Sequence, residues 1–456
     1  MFSLFHLLNR MNSLGRGTLN SSYTENCCRE CRECDNLKPK IKRAIGLIMV
    51  IAIVMITLST PVQDFNSFPI HFKMVEGQIA DLNFSAFIET VIEDNEIIAV
   101  SGTELHTVNK GMADITFKLF GLLPIKRVQV QVLPETKLYP GGQSIGVKLK
   151  AEGVMVVGFY KIETDNQNIS PAEAADIKIG DYILKVNGEA VKDVTSITKL
   201  LDTSQSLEME VKRHDRIFTT VVHPRLDKKT KSHKVGLFIR DSAAGVGTLS
   251  FYDPRTNMYG ALGHVITDMD TGQPIAVGSG EVFSSEVTSI DKGEKGKPGE
   301  KRCKISSDSE QIGNITLNSS LGIYGKLTDI PKDFLQEEPM PIALAHDVEV
   351  GQAQIYTVVN GDKVEKFDIE IVNVIPQRFS STKGMVIKVT DERLLAVTGG
   401  IIQGMSGSPI IQNGKIVGAV THVFVNEPTM GYGCYIEWML KEANDNINNI
   451  STYDAA

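Results

Sequence analysis

The chain has 456 residues, 42% of them hydrophobic and 22% charged, with 39 glycines and a single tryptophan, Trp438. That length suits about three domains, and the composition excludes collagenous, low-complexity and disulfide-dense classes. A formal charge of −8 and a pI near 5.7 exclude a broad basic face for nucleic acid.

Four of the six cysteines crowd into "CCRECREC" as Cys27, Cys28, Cys31 and Cys34, and only Cys303 and Cys434 follow. Closed zinc sites draw ligands from two separated knuckles. This single run therefore does not specify a metal site, and neither a metal nor a cofactor is expected. Next comes "KPKIKRAIGLIMVIAIVMITLST", in which Lys38, Lys40, Lys42 and Arg43 precede an uncharged apolar run from Ala44 to Thr60. A basic flank before an apolar run of this length reads as a signal sequence or transmembrane signal anchor. Positive charge stays cytoplasmic, so residues 1–43 read as a cytoplasmic tail, 44–60 as the anchor, and everything after Pro61 as lying outside the cytoplasm.

Residues 61–134 offer short alternating strands in "IHFKMVEGQI", "EIIAVSG", "ADITFKLF" and "KRVQVQVLP", which suggest a small β domain without visible chemistry. In residues 137–224, "SIGVKLKAEGVMVVGFY" reads as two strands around Glu152-Gly153. Ser170 and Pro171 begin a short helix. A strand then runs to an Asn187-Gly188 turn, and "DVTSITKLL" places Val194, Ile197, Leu200 and Leu201 on one helical face. The stretch "SPAEAADIKIGDYILKVNGEAV" resembles the PDZ modules of bacterial proteases. That resemblance implies a partner presenting a peptide C-terminus or an extended segment. "RLDKKTKSHK" (225–234) reads as a charged linker, and "DKGEKGKPGEKRCK" (291–304) as a mobile surface loop.

From residue 235 strands dominate again until "YIEWMLKEANDNI" at the C-terminus. Within this region "GMSGSPIIQNGKIVGAVTHVF" gives a glycine-rich turn, a strand, an Asn413-Gly414 hairpin and a second strand. Trypsin-like double-barrel proteases hold their serine in such an arrangement. By that likeness Ser406 is the nucleophile, and the amides of Gly404 and Ser406 form an oxyanion hole. Ser408, followed by Pro409, reads as structural.

A serine hydroxyl needs a base. His6, His71, His106, His214, His223 and His233 lie outside the peptidase barrels, His346 reads as a strand residue, and His422 lies on the strand after the hairpin. His264 in "GTLSFYDPRTNMYGALGHVITD" ends a strand–turn–strand unit, where a first barrel would present its base. For the third member, Asp391 in "VIKVTDERLLAVTGG" competes with Asp268, Asp270, Asp329 and Asp347, and spacing does not separate them.

"LYPGGQSIGVKL", "GALGHVITD" and "IIQGMSGSPIIQNGKIVGAVTHVFVNEPTMGYGCYIEWML", together with the anchor, resemble the stage IV sporulation protein B serine peptidases of endospore-forming bacteria. The resemblance covers nearly everything after residue 40 and implies His264, Asp391 and Ser406 as the catalytic set. It also implies release into the intermembrane space of the developing spore. There the family cleaves itself and a membrane-bound regulatory protein, which leads to intramembrane proteolysis and activation of the late mother-cell sigma factor. The first forty residues fall outside the pattern, which calls the start site into question. The expected architecture is mainly β: a small β domain (61–134), an α+β PDZ domain (137–224) and a trypsin-like double-barrel peptidase domain (225–456). A non-catalytic PDZ signalling scaffold with an inactive barrel is the alternative reading.

Overall fold

The computed structural model describes residues 39–58, 69–82, 88–93, 96–165, 167–201, 205–305, 311–330, 338–377 and 379–453. The cluster Cys27, Cys28, Cys31 and Cys34 lies outside them. A helix spans Pro39–Thr57 and exposes Ile45, Leu47, Ile48, Met49, Val54 and Met55. Its first turns carry Lys40, Lys42 and Arg43, which shortens the uncharged stretch. Among the described residues no helix is long and apolar enough to cross a membrane, so the spanning anchor expected over 44–60 is not borne out.

Two compact units result. The first is built from residues up to Phe72 and Gly77–Val132, and the second from Lys73–Glu76 and Leu133–Ala456. In the first unit, strands Ile88–Ile92, Gly111–Leu119 and Leu123–Leu133 pair antiparallel. Alternation along them sends Ala113, Ile115, Phe117, Val128, Val130 and Val132 inward. A second small sheet joins Ile79–Asp81, Glu104–Thr107 and Ile98–Ser101.

The second unit holds the PDZ-like elements and the peptidase region. Ser170 caps Pro171–Ala174, with its hydroxyl accepting the Glu173 amide and Pro171 at the first helical position. Strand Tyr182–Val186 runs to the Asn187-Gly188 turn, and Val194–Leu201 buries Ile197. Val154, Val156, Ile183, Met209 and Val211 complete that core.

"SIGVKLKAEGVMVVGFY" does not fold back at Glu152-Gly153. Ser144–Phe159 is one strand, paired along most of its length with Leu237–Asp253. Its first half also pairs with Val277–Ser284. Ile145, Val147 and Leu149 therefore pack with Leu249, Tyr259 and Val282 in the peptidase core, although sequence reading placed them with the PDZ module. The charged linker is likewise ordered. Arg225–Leu226 pairs with His233–Lys234, and Asp227 accepts from the Lys229 amide, Thr230 Oγ1 and Lys234 Nζ.

Of the two expected barrels, the second closes. Its six strands are Gly351–Val358, Val364–Val374, Met385–Val389, Glu427–Tyr435, Lys415–Phe424 and Pro409–Gln412, in that spatial order. Ile355, Phe367, Ile369, Ile387, Ile410 and Val420 fill it. The helix Ile436–Tyr453 packs Met439, Leu440 and Ala443 against Ile416, Ala419 and Tyr324. The first half is an open sheet rather than a closed barrel, because Ser144–Phe159 and Leu237–Asp253 continue out of it into the PDZ sheet.

Candidate active site

The loop after helix Glu392–Thr398 leads into strand Pro409–Gln412. Most of its amides are engaged. Gln403 N–H donates to Gly299, Met405 N–H to Ile402, Gly407 N–H to Val420 and Ser408 N–H to Met405. Those of Gly404 and Ser406 have no acceptor among the described residues. Thr248, on the long strand Leu237–Asp253, holds the loop from the other side. Its amide donates to the Ser406 carbonyl (2.9 Å) and its hydroxyl to the Gly404 carbonyl (2.7 Å). Gly407, at φ +94°, lies so close to Thr248 and Leu262 that a Cβ would overlap the carbonyl oxygen of one and the nitrogen of the other.

His264 follows strand Met258–Ala261 through Leu262 and Gly263, which both have left-handed backbone (φ +70° and +69°). That conformation costs a bulky residue such as leucine about 1 kcal/mol or more. The buried Leu262 side chain and its amide bond to the Thr248 carbonyl hold it there. His264, Gly404 and Ser406 line one cavity of about 580 Å³, together with Leu262, Thr421, His422 and Pro298.

His264 Nδ1 lies 3.0 Å from the Val265 carbonyl oxygen. A carbonyl only accepts, so Nδ1 carries the hydrogen and Nε2 is left as the basic nitrogen. Burial lowers the pKa of His264, and the bond to Val265 opposes this in part, so the ring is neutral at physiological pH. The His422 ring lies beside it, with centroids 5.3 Å apart. Burial, then His264 and then Lys383 lower the pKa of His422 as well. Ser406 Oγ donates to the Thr421 carbonyl at 3.0 Å. The hydroxyl is thus turned to strand Lys415–Phe424, and rotation about χ1 would carry it to another staggered position.

Residues 231–440 match the family model of the SpoIVB peptidase S55. That stretch, which holds His264, Gly404 and Ser406, is similar to the SpoIVB peptidases. Residues 169–213 match a PDZ domain. No curated protein matches the chain. Among solved structures, the Rv3671c protease of M. tuberculosis in its active form is 13% identical. That match covers 45% of this chain and 74% of the protease, with a TM-score of 0.28. Its inactive form is 14% identical over 43% of this chain and 84% of its own, with a TM-score of 0.26. Overlaps this loose carry no argument about the site.

Within the matched region, Asp391 is not brought to His264. It is the N-cap of helix Glu392–Thr398, accepting the Arg393 and Leu394 amides, the Arg393 guanidinium and the Asp368 amide. The bond from Arg393 is the main cause of its lowered pKa, opposed by burial. The rivals are no closer to the role. Asp268 and Asp270 pair with Arg240, and His264 hydrogen-bonds none of the five aspartates. In this geometry Asp391→Ala is expected to cost about 0.5–2 kcal/mol of stability through the lost cap. Asp391→Asn should keep the cap, and turnover per folded molecule should survive in both variants. Turnover lost in Asp391→Asn at an unchanged melting temperature would return Asp391 to the catalytic set that family resemblance implies.

Ser408 is fully buried, and its hydroxyl has no partner among the described residues, in keeping with a structural position. Cys303 and Cys434 are free thiols. The insert 291–304 is ordered rather than mobile. Glu286–Asp291 and Glu300–Lys304 form a hairpin, Gly293 N–H donates to Thr398, and Gly296 N–H donates to Val425. Lys301 of this hairpin, 1% exposed, was not singled out by sequence. Its amide donates to Gln403, its stem lies against Gly404, and its Nζ donates to Thr357 Oγ1 at 2.7 Å. Burial lowers its pKa to about 7, while the nearby Cys303 acts in the raising direction. Alternation in "EKRCK" puts Lys301 and Cys303 on one face, which is the one signal the sequence offered.

Proposed function

We propose that this chain is a serine endopeptidase in which Ser406 is the nucleophile and His264 the general base. One observation carries the reading: the amides of Gln403, Met405, Gly407 and Ser408 find acceptors, while those of Gly404 and Ser406, which line the cavity, find none among the described residues. Burying donors without partners costs free energy, so two such donors flanking a serine in a cavity suit a ligand that arrives with negative charge. A tetrahedral oxyanion is that ligand.

The steps follow from the contacts. Ser406 Oγ turns from the Thr421 carbonyl, and His264 Nε2 takes its proton as Oγ attacks a peptide carbonyl carbon. The Gly404 and Ser406 amides hold the resulting oxyanion. The imidazolium then returns its proton to the leaving amine, and water repeats the sequence on the acyl-enzyme. The Val265 carbonyl orients the ring here, the part that resemblance gives to Asp391.

Family resemblance extends the proposal to sporulation. The chain would be exported into the intermembrane space of the developing spore, cleave itself, and cleave a membrane-bound regulatory protein held in part through the PDZ domain. The basic-then-apolar order of residues 38–60 supports export. A fluorophosphonate probe tests the chemistry. Labelling of the wild-type chain that disappears in Ser406→Ala is the expected result. No labelling of either, with the fold intact, would leave the PDZ scaffold as the better reading.

A further inference from the structure

The hairpin joining Gly111–Leu119 to Leu123–Leu133 in the first unit differs from three other tight hairpins among the described residues. Val186-Asn187-Gly188-Glu189 and Gln412-Asn413-Gly414-Lys415 turn through Asn-Gly pairs with positive φ, and Arg213-His214-Asp215-Arg216 is also polar. Asn-Gly is what such a turn prefers, because asparagine tolerates the left-handed region. Here Phe120 (φ +49°) stands where asparagine would, followed by Gly121 (φ +70°). The Leu122 amide closes the turn onto Leu119.

Apart from the Glu89 carboxylate, which lies against Gly121, the tip is apolar. Phe120 is 66% exposed, Leu122 87%, Leu123 60% and Ile125 38%. A few residues away, Phe117 is fully buried in the sheet core, so the tip residues are not needed to fill it. Lys118 and Lys126 stand just behind them on the two strands. Glu89 lies opposite Lys118, and Arg127 is paired with Glu93 and Asp114. Apolar side chains in front of lysines match a bilayer interface, where apolar groups enter the acyl boundary and long basic side chains reach the headgroups. The same unit contains the helix Pro39–Thr57, which repeats this order of basic then exposed apolar residues.

We propose that the Phe120–Ile125 tip inserts into the interfacial layer of a membrane bearing anionic lipid. Trp438 is the only tryptophan of the chain, so the full-length wild type supplies the fluorescence background for a second one. The test compares full-length Leu122→Trp with Asp215→Trp, on the polar tip, in vesicles of phosphatidylglycerol or phosphatidylcholine with brominated acyl chains. The expected result is emission from position 122 that shifts to the blue and is quenched about twofold or more in phosphatidylglycerol. Quenching should be weaker in phosphatidylcholine and in the Lys118→Glu/Lys126→Glu background, while Asp215→Trp stays water-like. Water-like emission at 122 in both vesicles would overturn the proposal, as would equal quenching at 215. Blue-shifted emission before vesicles are added would also overturn it, by assigning the tip to a protein surface such as a second copy of the chain. Equal quenching in phosphatidylcholine would overturn the requirement for anionic lipid.

Discussion

His264→Ala should slow acylation of Ser406 by roughly a thousandfold or more, measured as the rate of fluorophosphonate labelling and as loss of the proposed self-cleavage. The ring makes no hydrogen bond to a residue distant in sequence. It ends a turn, its one hydrogen bond is to the adjacent Val265 carbonyl, and its other neighbour is the His422 ring. Melting temperature should therefore stay close to wild type. Residual hydrolysis in the double variant with Ser406→Ala should be hardly lower than in either single variant, because base and nucleophile act as one unit. Additive losses would show that His264 acts elsewhere. His422→Ala is the internal comparison. That ring borders the same cavity but has no proton to pass in the proposed steps, so labelling should fall far less.

Lys301→Met should change how stability depends on pH. A lysine whose pKa falls from its usual value near 10.4 to about 7 binds its proton more weakly in the folded state. Between about pH 7 and 10.4 the unfolded chain then holds more protons, so stability rises with pH across that window. The penalty is present in full below about pH 7, and a shift of that size corresponds to something on the order of 4–5 kcal/mol. Methionine keeps most of the stem that lies against Gly404 and gives up the Thr357 hydrogen bond. Its melting temperature should exceed that of wild type near pH 7 and converge with it as pH approaches 10. Parallel curves for the two proteins over that range would show that Lys301 keeps its proton in the fold.

Much of this was legible in the residues because it is local. Asn187-Gly188 and Asn413-Gly414 each specify a tight turn, and both hairpins form. Ser170-Pro171 specifies a helix start, which also forms. Glycines around Ser406 announced a loop whose amides point away from regular pairing. What stayed illegible depends on partners distant in sequence. Glu152-Gly153 looks like a turn, yet Leu237–Asp253 and Val277–Ser284 supply pairing that keeps Ser144–Phe159 extended. Lysines and glycines in 291–304 suggested mobility, because nothing local reveals that the Lys301 stem is covered by the Gly404 loop. Asp391 begins a helix with Arg393 two residues on, and that nearby guanidinium takes up the carboxylate that resemblance would give to His264.

Because Ser144–Phe159 and Leu237–Asp253 run unbroken from the PDZ sheet into the peptidase, the two domains have a common spine instead of a hinge. Swivelling one domain would require breaking rungs along a ribbon, and a ribbon is stiff along its length. Compliance is confined to the register shifts at Phe238/Ile239 and Arg240/Ser242. Eight residues beyond Arg240 on the same backbone comes Thr248, whose amide and hydroxyl grip the carbonyls of Ser406 and Gly404. A load applied at the PDZ end is therefore carried along that backbone to the loop that holds Ser406, the proposed nucleophile.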